Sequence, residues 1–177
     1  MNNVRLISYT EAISESYVKE MNVEGLIAYC ARVSNPSNQN NEATAHKLIK
    51  YLIKHKHWSP LEMVNVCLEI ETTRDIGRQI LRHRSFSFQE FSQRYADPTK
   101  DLEFVTRECR LQDDKNRQNS IELSTMSRMY MNGTLRSWVH YIELRTDPST
   151  QKEHREVAQM CAFEIAKVFP MIKEILE

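Results

Sequence analysis

Between Arg74 and Arg94 the chain carries five arginines, Arg74, Arg78, Arg82, Arg84 and Arg94, against only Asp75 and Glu90, although its net charge is zero. Guanidinium groups stay charged and bind phosphate, pyrophosphate or carboxylate bidentately, so this concentration suits an anionic ligand. Arg74, Arg78 and Arg82 recur every four residues, and a helix over 74–82 would stack them on one face. Like charges at that spacing repel by a few tenths of a kcal/mol per pair, which a bound anion would offset. The competing reading is a solvated basic face pairing with Glu90 and Asp75. His83 lies between Arg82 and Arg84, which disfavours its protonation. A neutral imidazole there can stack on, or hydrogen-bond to, a ring. Ser85, Ser87 and Ser92 have no G-x-S-x-G elbow to activate them, so ligand contact suits them better than nucleophilic attack.

Composition bounds what such a cluster can serve. At 177 residues, with 41% hydrophobic and 27% charged, the chain is an ordinary globular sequence with room for one core, read as one domain over residues 1–177. Zero net charge argues against a general nucleic-acid or membrane-surface binder. No apolar run approaches the ~20 residues of a bilayer span, and the N-terminus lacks a signal-peptide core, so a cytosolic protein is expected. Cys30, Cys67, Cys109 and Cys161 are far apart and read as reduced, mostly buried thiols rather than a metal site. With three glycines in all, neither a P-loop nor a G-x-G-x-x-G turn can form.

The positioning elements alternate in kind. Residues 4–9 read as a strand, 23–33 as a helix, and 42–55 as a second helix with Ala45, Leu48, Ile49, Leu52 and Ile53 on one face. Val64, Val66, Leu68 and Ile70 alternate with polar residues, a period-two strand with one dry face. Thr72 or Thr73 can cap the arginine-bearing helix. Period two returns through Phe86 and Phe88 and breaks at Glu90-Phe91, suggesting a bent segment that carries polar groups. A strand is expected over 104–111 and a helix over 134–145. Thr150 with Glu153 forms a capping box for a last long helix, which Pro170 ends. The sum is an α+β fold, a small antiparallel or mixed sheet packed with helices.

Arg82-His83-Arg84, seven residues, then Ser92 and Arg94-Tyr95 resembles the signature of flavin-dependent thymidylate synthases. His57-Trp58-Ser59-Pro60-Leu61-Glu62 is similar to that family's histidine-x-serine-proline-x-glutamate segment. Glu143-Leu144-Arg145 and Gln151-Lys152-Glu153-His154-Arg155 resemble its C-terminal elements. The phenylalanines around Phe86 and Phe88 look most like virus-encoded members, whose setting would be host cytoplasm. The resemblance runs over most of the chain.

The resemblance implies a homotetramer with shared active sites, FAD as cofactor, dUMP as acceptor, methylenetetrahydrofolate as carbon donor and NADPH as reductant. It implies that Arg82, His83, Arg84 and Glu90 hold FAD, with Ser59 and Arg145 reaching it from neighbouring chains and His57 beside the flavin. Gln79, Arg82, Glu90, Ser92, Gln93 and Arg94 would line the dUMP site. Arg155 matches the arginine that polarises the uracil. Departures accompany the match: family chains carry a further helical stretch, with an arginine for the dUMP phosphate, where Ser120–Ser124 here runs almost directly into Met129. Glu143 stands for the usual asparagine, and Ser149 or Thr150 for a flavin-contacting histidine. The alternatives are a shortened homologue that binds flavin or nucleotide without efficient turnover, and an arginine-rich nucleic-acid module.

Overall fold

The computed structural model describes residues 2–13, 21–92, 94, 95, 97, 100, 105 and 125–176. Strand β1 (Asn3–Tyr9) is followed by helices α1 (Val23–Ala31) and α2 (Ala45–Lys54). Strand β2 (Asn65–Thr73) leads directly into α3 (Arg74–Ile80), then β3 (Ser87–Glu90). Strand β4 (Met126–Thr134) leads into α4 (Leu135–Thr146), α5 (Lys152–Ile165) and the short α6 (Ile172–Leu176). The strands are ordered β1-β2-β4-β3, and every pairing is antiparallel. The α+β expectation holds, with the sheet antiparallel. Among the described residues no helix is long and apolar enough to cross a membrane.

One face of the sheet is dry because the side chains alternate. Val66, Leu68 and Ile70 of β2 oppose Gly133, Met131 and Met129 of β4, and all three β2 residues are fully buried. They join Trp138, Tyr141 and Ile142 of α4 and Val157, Cys161 and Ile165 of α5 in one core. The indole of Trp138 donates to the Val66 carbonyl at 3.0 Å, so the largest core side chain is also satisfied as a donor. The opposite face is polar. There Glu69, 6% exposed, accepts from Arg5 Nε at 2.8 Å and from the Tyr130 hydroxyl at 2.9 Å.

Four expectations need correction. Central strand β4 carries little signal in the sequence: methionine has little strand preference and Gly133 interrupts the pattern, although Met129, Met131 and Gly133 alternate inward. Helix α3 stops at Ile80, so Arg82 lies in the turn that follows it rather than in the helix. The capping box at Thr150 does not form. Its hydroxyl donates to the Leu144 carbonyl at 3.2 Å, and Gln151 takes the N-cap position. Helix α5 ends at Ile165, five residues before Pro170. Of the described cysteines, only Cys161 is fully buried, while Cys30 and Cys67 are intermediate; all three are free thiols. The strand expected over 104–111, and Cys109, lie outside the described residues apart from 105.

Gly133 is where the sheet meets the arginine-bearing turn. A methyl group on its Cα would overlap the edge of the Phe86 ring, coming within 2.7 Å of Cε1. Phe86 is held on its other side by Trp138, with ring centroids 4.8 Å apart. Gly133→Ala therefore must displace Phe86 or the strand. We expect it to destabilise the protein by about 1–3 kcal/mol, as overpacking of a filled core does. An unchanged urea midpoint would show that the ring yields freely.

Candidate functional site

The turn after α3 is wound by successive backbone bonds: Leu81 N–H to the Gly77 carbonyl at 2.9 Å, His83 to Ile80 at 3.0 Å, and Phe86 to His83 at 3.3 Å. Phe86 anchors it in the core. The turn then alternates, with Arg82 exposed, His83 half-buried and Arg84 exposed. Among the described residues no carboxylate forms an ion pair with Arg82 or Arg84. Of the competing reading, a solvated basic face, the exposure of both arginines is present, while their pairing with Glu90 or Asp75 is not found among the described residues. Glu90 accepts instead from the Ser127 hydroxyl at 3.2 Å.

His83 is turned inward against α4. Its ring meets Tyr141 edge-on at 4.9 Å, and its Nε2 accepts from Arg145 Nε at 3.0 Å. An imidazole that accepts a guanidinium N–H must be neutral, with its proton on Nδ1. Its pKa falls to about 4, chiefly because the ring is buried, then because Arg145, His140 and Arg82 are near. The sequence placed the cause on the flanking arginines; burial outweighs them. Arg145 reaches His83 of its own chain.

Beneath this pair lies a second, fully buried histidine that sequence reasoning gave no role. His154 of α5 meets Gln79 Oε1 of α3 through Nδ1 at 3.2 Å, and the Tyr141 hydroxyl through Nε2 at 3.2 Å. Gln79 Nε2 donates to Gln151 Oε1 at 2.9 Å, and Gln151 Nε2 to Glu153 Oε2 at 3.3 Å. Burial, then the nearness of Arg145 and of the His83 ring, lowers the His154 pKa to about 4 as well. The signal was present: His154 precedes Val157 and Cys161 on the buried stripe of α5.

The other expected residues fall into two groups. Arg155 is half-buried in the first turn of α5, its Nη1 donating to the Pro148 carbonyl at 3.0 Å. Ser92 is exposed and accepts the Arg94 N–H at 3.3 Å, and the Arg94 guanidinium sits 5.7 Å from the Tyr95 ring centroid. Gln93 lies outside the described residues. His57 and Ser59 are exposed and flank in sequence Trp58, which lines a cavity of about 480 Å³ that neither of them lines. Trp58 and Glu62 line one side, Ser85 of the turn another, and Arg136, His140 and Glu143 of α4 the rest. His57 itself is placed by a helix-ending turn in which Lys56 adopts φ 59°, the left-handed conformation that disfavours side chains with Cβ. The Lys56 and His57 N–H groups donate back to Ile53 and Leu52 at 3.0 and 2.8 Å. Thus the cavity joins the His57–Glu62 segment, the arginine turn and the Glu143–Arg145 segment.

The site is thus an antiparallel α+β domain whose arginine turn leaves Arg82 and Arg84 exposed on either side of a neutral, half-buried His83. The family described as thymidylate synthase complementing protein matches residues 16–124 and 119–171. A probable flavin-dependent thymidylate synthase of Paramecium bursaria Chlorella virus 1 is 40% identical, with 99% of each chain covered. A flavin-dependent thymidylate synthase of Synechocystis sp. is 41% identical at the same coverage. Among solved structures, a UMP/dUMP methylase from Streptomyces cacaoi bound with 5-Br dUMP shares the fold, at TM-score 0.72 and 20% identity, over 99% of this chain and 94% of that one. The chain belongs to the flavin-dependent thymidylate synthase family and is an enzyme of that family.

Both histidines bind a proton more weakly when folded than at their ordinary 6.5. Between the two values the unfolded chain takes up protons that the folded chain refuses, so stability rises with pH there and levels off above 6.5. Glu71, Asp147 and Glu174, whose carboxyls are held low by hydrogen-bonding partners, act only below the ordinary carboxylate range. Denaturant midpoints measured from pH 8 downward should therefore begin to fall near 6.5 and keep falling towards 4. A midpoint flat down to pH 4.5 would contradict the burial of both rings as neutral groups.

Proposed function

We propose that the chain catalyses reductive methylation of dUMP to dTMP, with methylenetetrahydrofolate as carbon donor, NADPH as reductant and FAD as bound cofactor. In this reading residues 1–177 form one domain and the active unit is a homotetramer. The observation that carries it is the alternation of the arginine turn: two exposed guanidiniums without carboxylate partners among the described residues, flanking an imidazole that is neutral. Permanent, unneutralised cations suit a pyrophosphate, and the adjoining cavity with Trp58 suits a ring. The residues present fit FAD on those grounds.

Arg82, His83, Arg84 and Glu90 would hold the cofactor, with Ser59 and Arg145 contributing from neighbouring chains and His57 beside the ring. Bound flavin supplies the hydride chemistry. Gln79, Arg82, Glu90, Ser92, Gln93 and Arg94 would line the uridylate site. Arg155 is the residue proposed to act on the pyrimidine. A guanidinium beside N3 or O2 stabilises negative charge developing there and cannot surrender its proton, which makes C5 the better carbon nucleophile. Its bond to the Pro148 carbonyl uses one N–H and steadies the group while other donors remain.

A second reading, flavin or nucleotide binding without efficient turnover, has an observation of its own. The alignments with the viral and cyanobacterial relatives run to 218 positions, whereas this chain has 177 residues, so at least 41 positions lack a counterpart here. The family match also falls into two stretches that meet at residues 119–124. That is where an arginine for the dUMP phosphate is expected in longer relatives.

Purified protein should be yellow, should oxidise NADPH faster when dUMP is added, and should form dTMP in proportion. Flavin binding without dTMP would favour the second reading, and colourless protein that gains no flavin on reconstitution would oppose both. Arg155→Ala should keep flavin colour while losing turnover by roughly 100-fold or more, the scale expected when a group stabilising transition-state charge is removed. Arg84→Ala should lose flavin first. Equal loss of colour and turnover in the two variants would oppose this division of roles.

A further inference from the structure

Five side chains from three helices form one hydrogen-bonded chain with a fixed direction. The Glu153 carboxylate is an acceptor only, which obliges Gln151 to turn Nε2 towards it at 3.3 Å. Gln151 Oε1 then faces α3 and can only accept, so Gln79 must present Nε2 to it, at 2.9 Å. That leaves Gln79 Oε1 facing His154 Nδ1 at 3.2 Å, so this nitrogen must carry the proton. The ring being neutral, Nε2 accepts from the Tyr141 hydroxyl at 3.2 Å. His154 and Tyr141 are both fully buried, and solvent cannot replace a missing partner. Arg145 and His83 are the charged and titratable neighbours of the ring, from α4 and the arginine turn.

We propose that His154 is a positioning residue: as the Nδ1–H tautomer it fixes the orientation of the Gln79 amide and locks the start of α5, which bears Arg155, to the end of α3. This rests on the proposed reading of Gln79 and Arg155 as nucleotide-site residues. The bond joins Gln79 to His154, 75 positions apart in sequence, and Arg155 directly follows that imidazole. A histidine kept merely for packing would need neither a particular tautomer nor an acceptor carboxylate that orients Gln151.

Two substitutions separate the roles. In His154→Asn the amide nitrogen overlies Nδ1 and still donates to Gln79, though the side chain is smaller. In His154→Gln the amide overlies Nε2, keeps the volume and the Tyr141 contact, and cannot donate to Gln79. Expected on the flavin-loaded protein is dTMP turnover within several-fold of the parent for His154→Asn. For His154→Gln kcat should fall on the order of 100-fold, the cost of misplacing a catalytic group by about an ångström, with flavin content little changed. Equal losses, or Gln surpassing Asn, would overturn the proposal, because packing alone favours Gln. Long-range ¹H–¹⁵N spectra of the unaltered flavin-loaded protein give the independent readout, with a proton on Nδ1 of His154 expected at neutral pH. A proton on Nε2 overturns the positioning role whatever the variants do. Unaltered protein that forms no dTMP overturns the enzymatic reading instead, and the ring tautomer then decides this one alone.

Discussion

The hydrogen bond from Arg145 Nε to His83 Nε2 is the constraint on which the cationic end of the molecule depends. In a tight turn neighbouring side chains cannot all point the same way. With the imidazole committed inward to Arg145 and Tyr141, the guanidiniums on either side are left outward. Were His83 charged, it would face Arg145 as well as its two chain neighbours, and the turn would have to open. Burial of a neutral ring is therefore what allows so many arginines to occupy one short stretch of a chain with no net charge.

The rest of the architecture serves that placement. Phe86 fills the space over Gly133, and Trp138 holds it from α4 while bonding to the sheet through its indole N–H. The same helix carries Tyr141 and Arg145 one and two turns further along, so a single rigid element anchors the turn, edges the histidine and supplies its donor. Behind it, the chain of bonds through His154 ties α3 to α5. Positioning thus comes from packed helices and buried polar contacts, while the residues left exposed are those free to meet a ligand.

Legibility in the sequence followed the physics of each signal. The alternation in Val64–Ile70 and the apolar stripes of α2, α4 and α5 were plain, because burial on one face leaves a period. Strand β4 was not, since methionine, asparagine and glycine do not announce a strand, though it pairs with two others at the centre of the sheet. The arginine-rich turn was legible by charge counting, and its likeness to a family by spacing. What could not be read was which way each side chain faces. The flanking arginines explain less of the His83 shift than its burial, and burial is set by partners more than fifty residues away. The polar chain through His154 was hidden for the same reason, because each of its links joins residues whose proximity exists only after folding, apart from Gln151 and Glu153.

Under the proposed function, Arg82 and Arg84 stand outward and unneutralised to take an anion. The most direct measurement is the affinity of flavin-stripped protein for FAD across a series of ionic strengths, with and without inorganic pyrophosphate. Exposed guanidinium–pyrophosphate contacts are screened by salt, so affinity should fall steadily as salt rises and pyrophosphate should compete. An affinity indifferent to salt and to pyrophosphate would contradict the account.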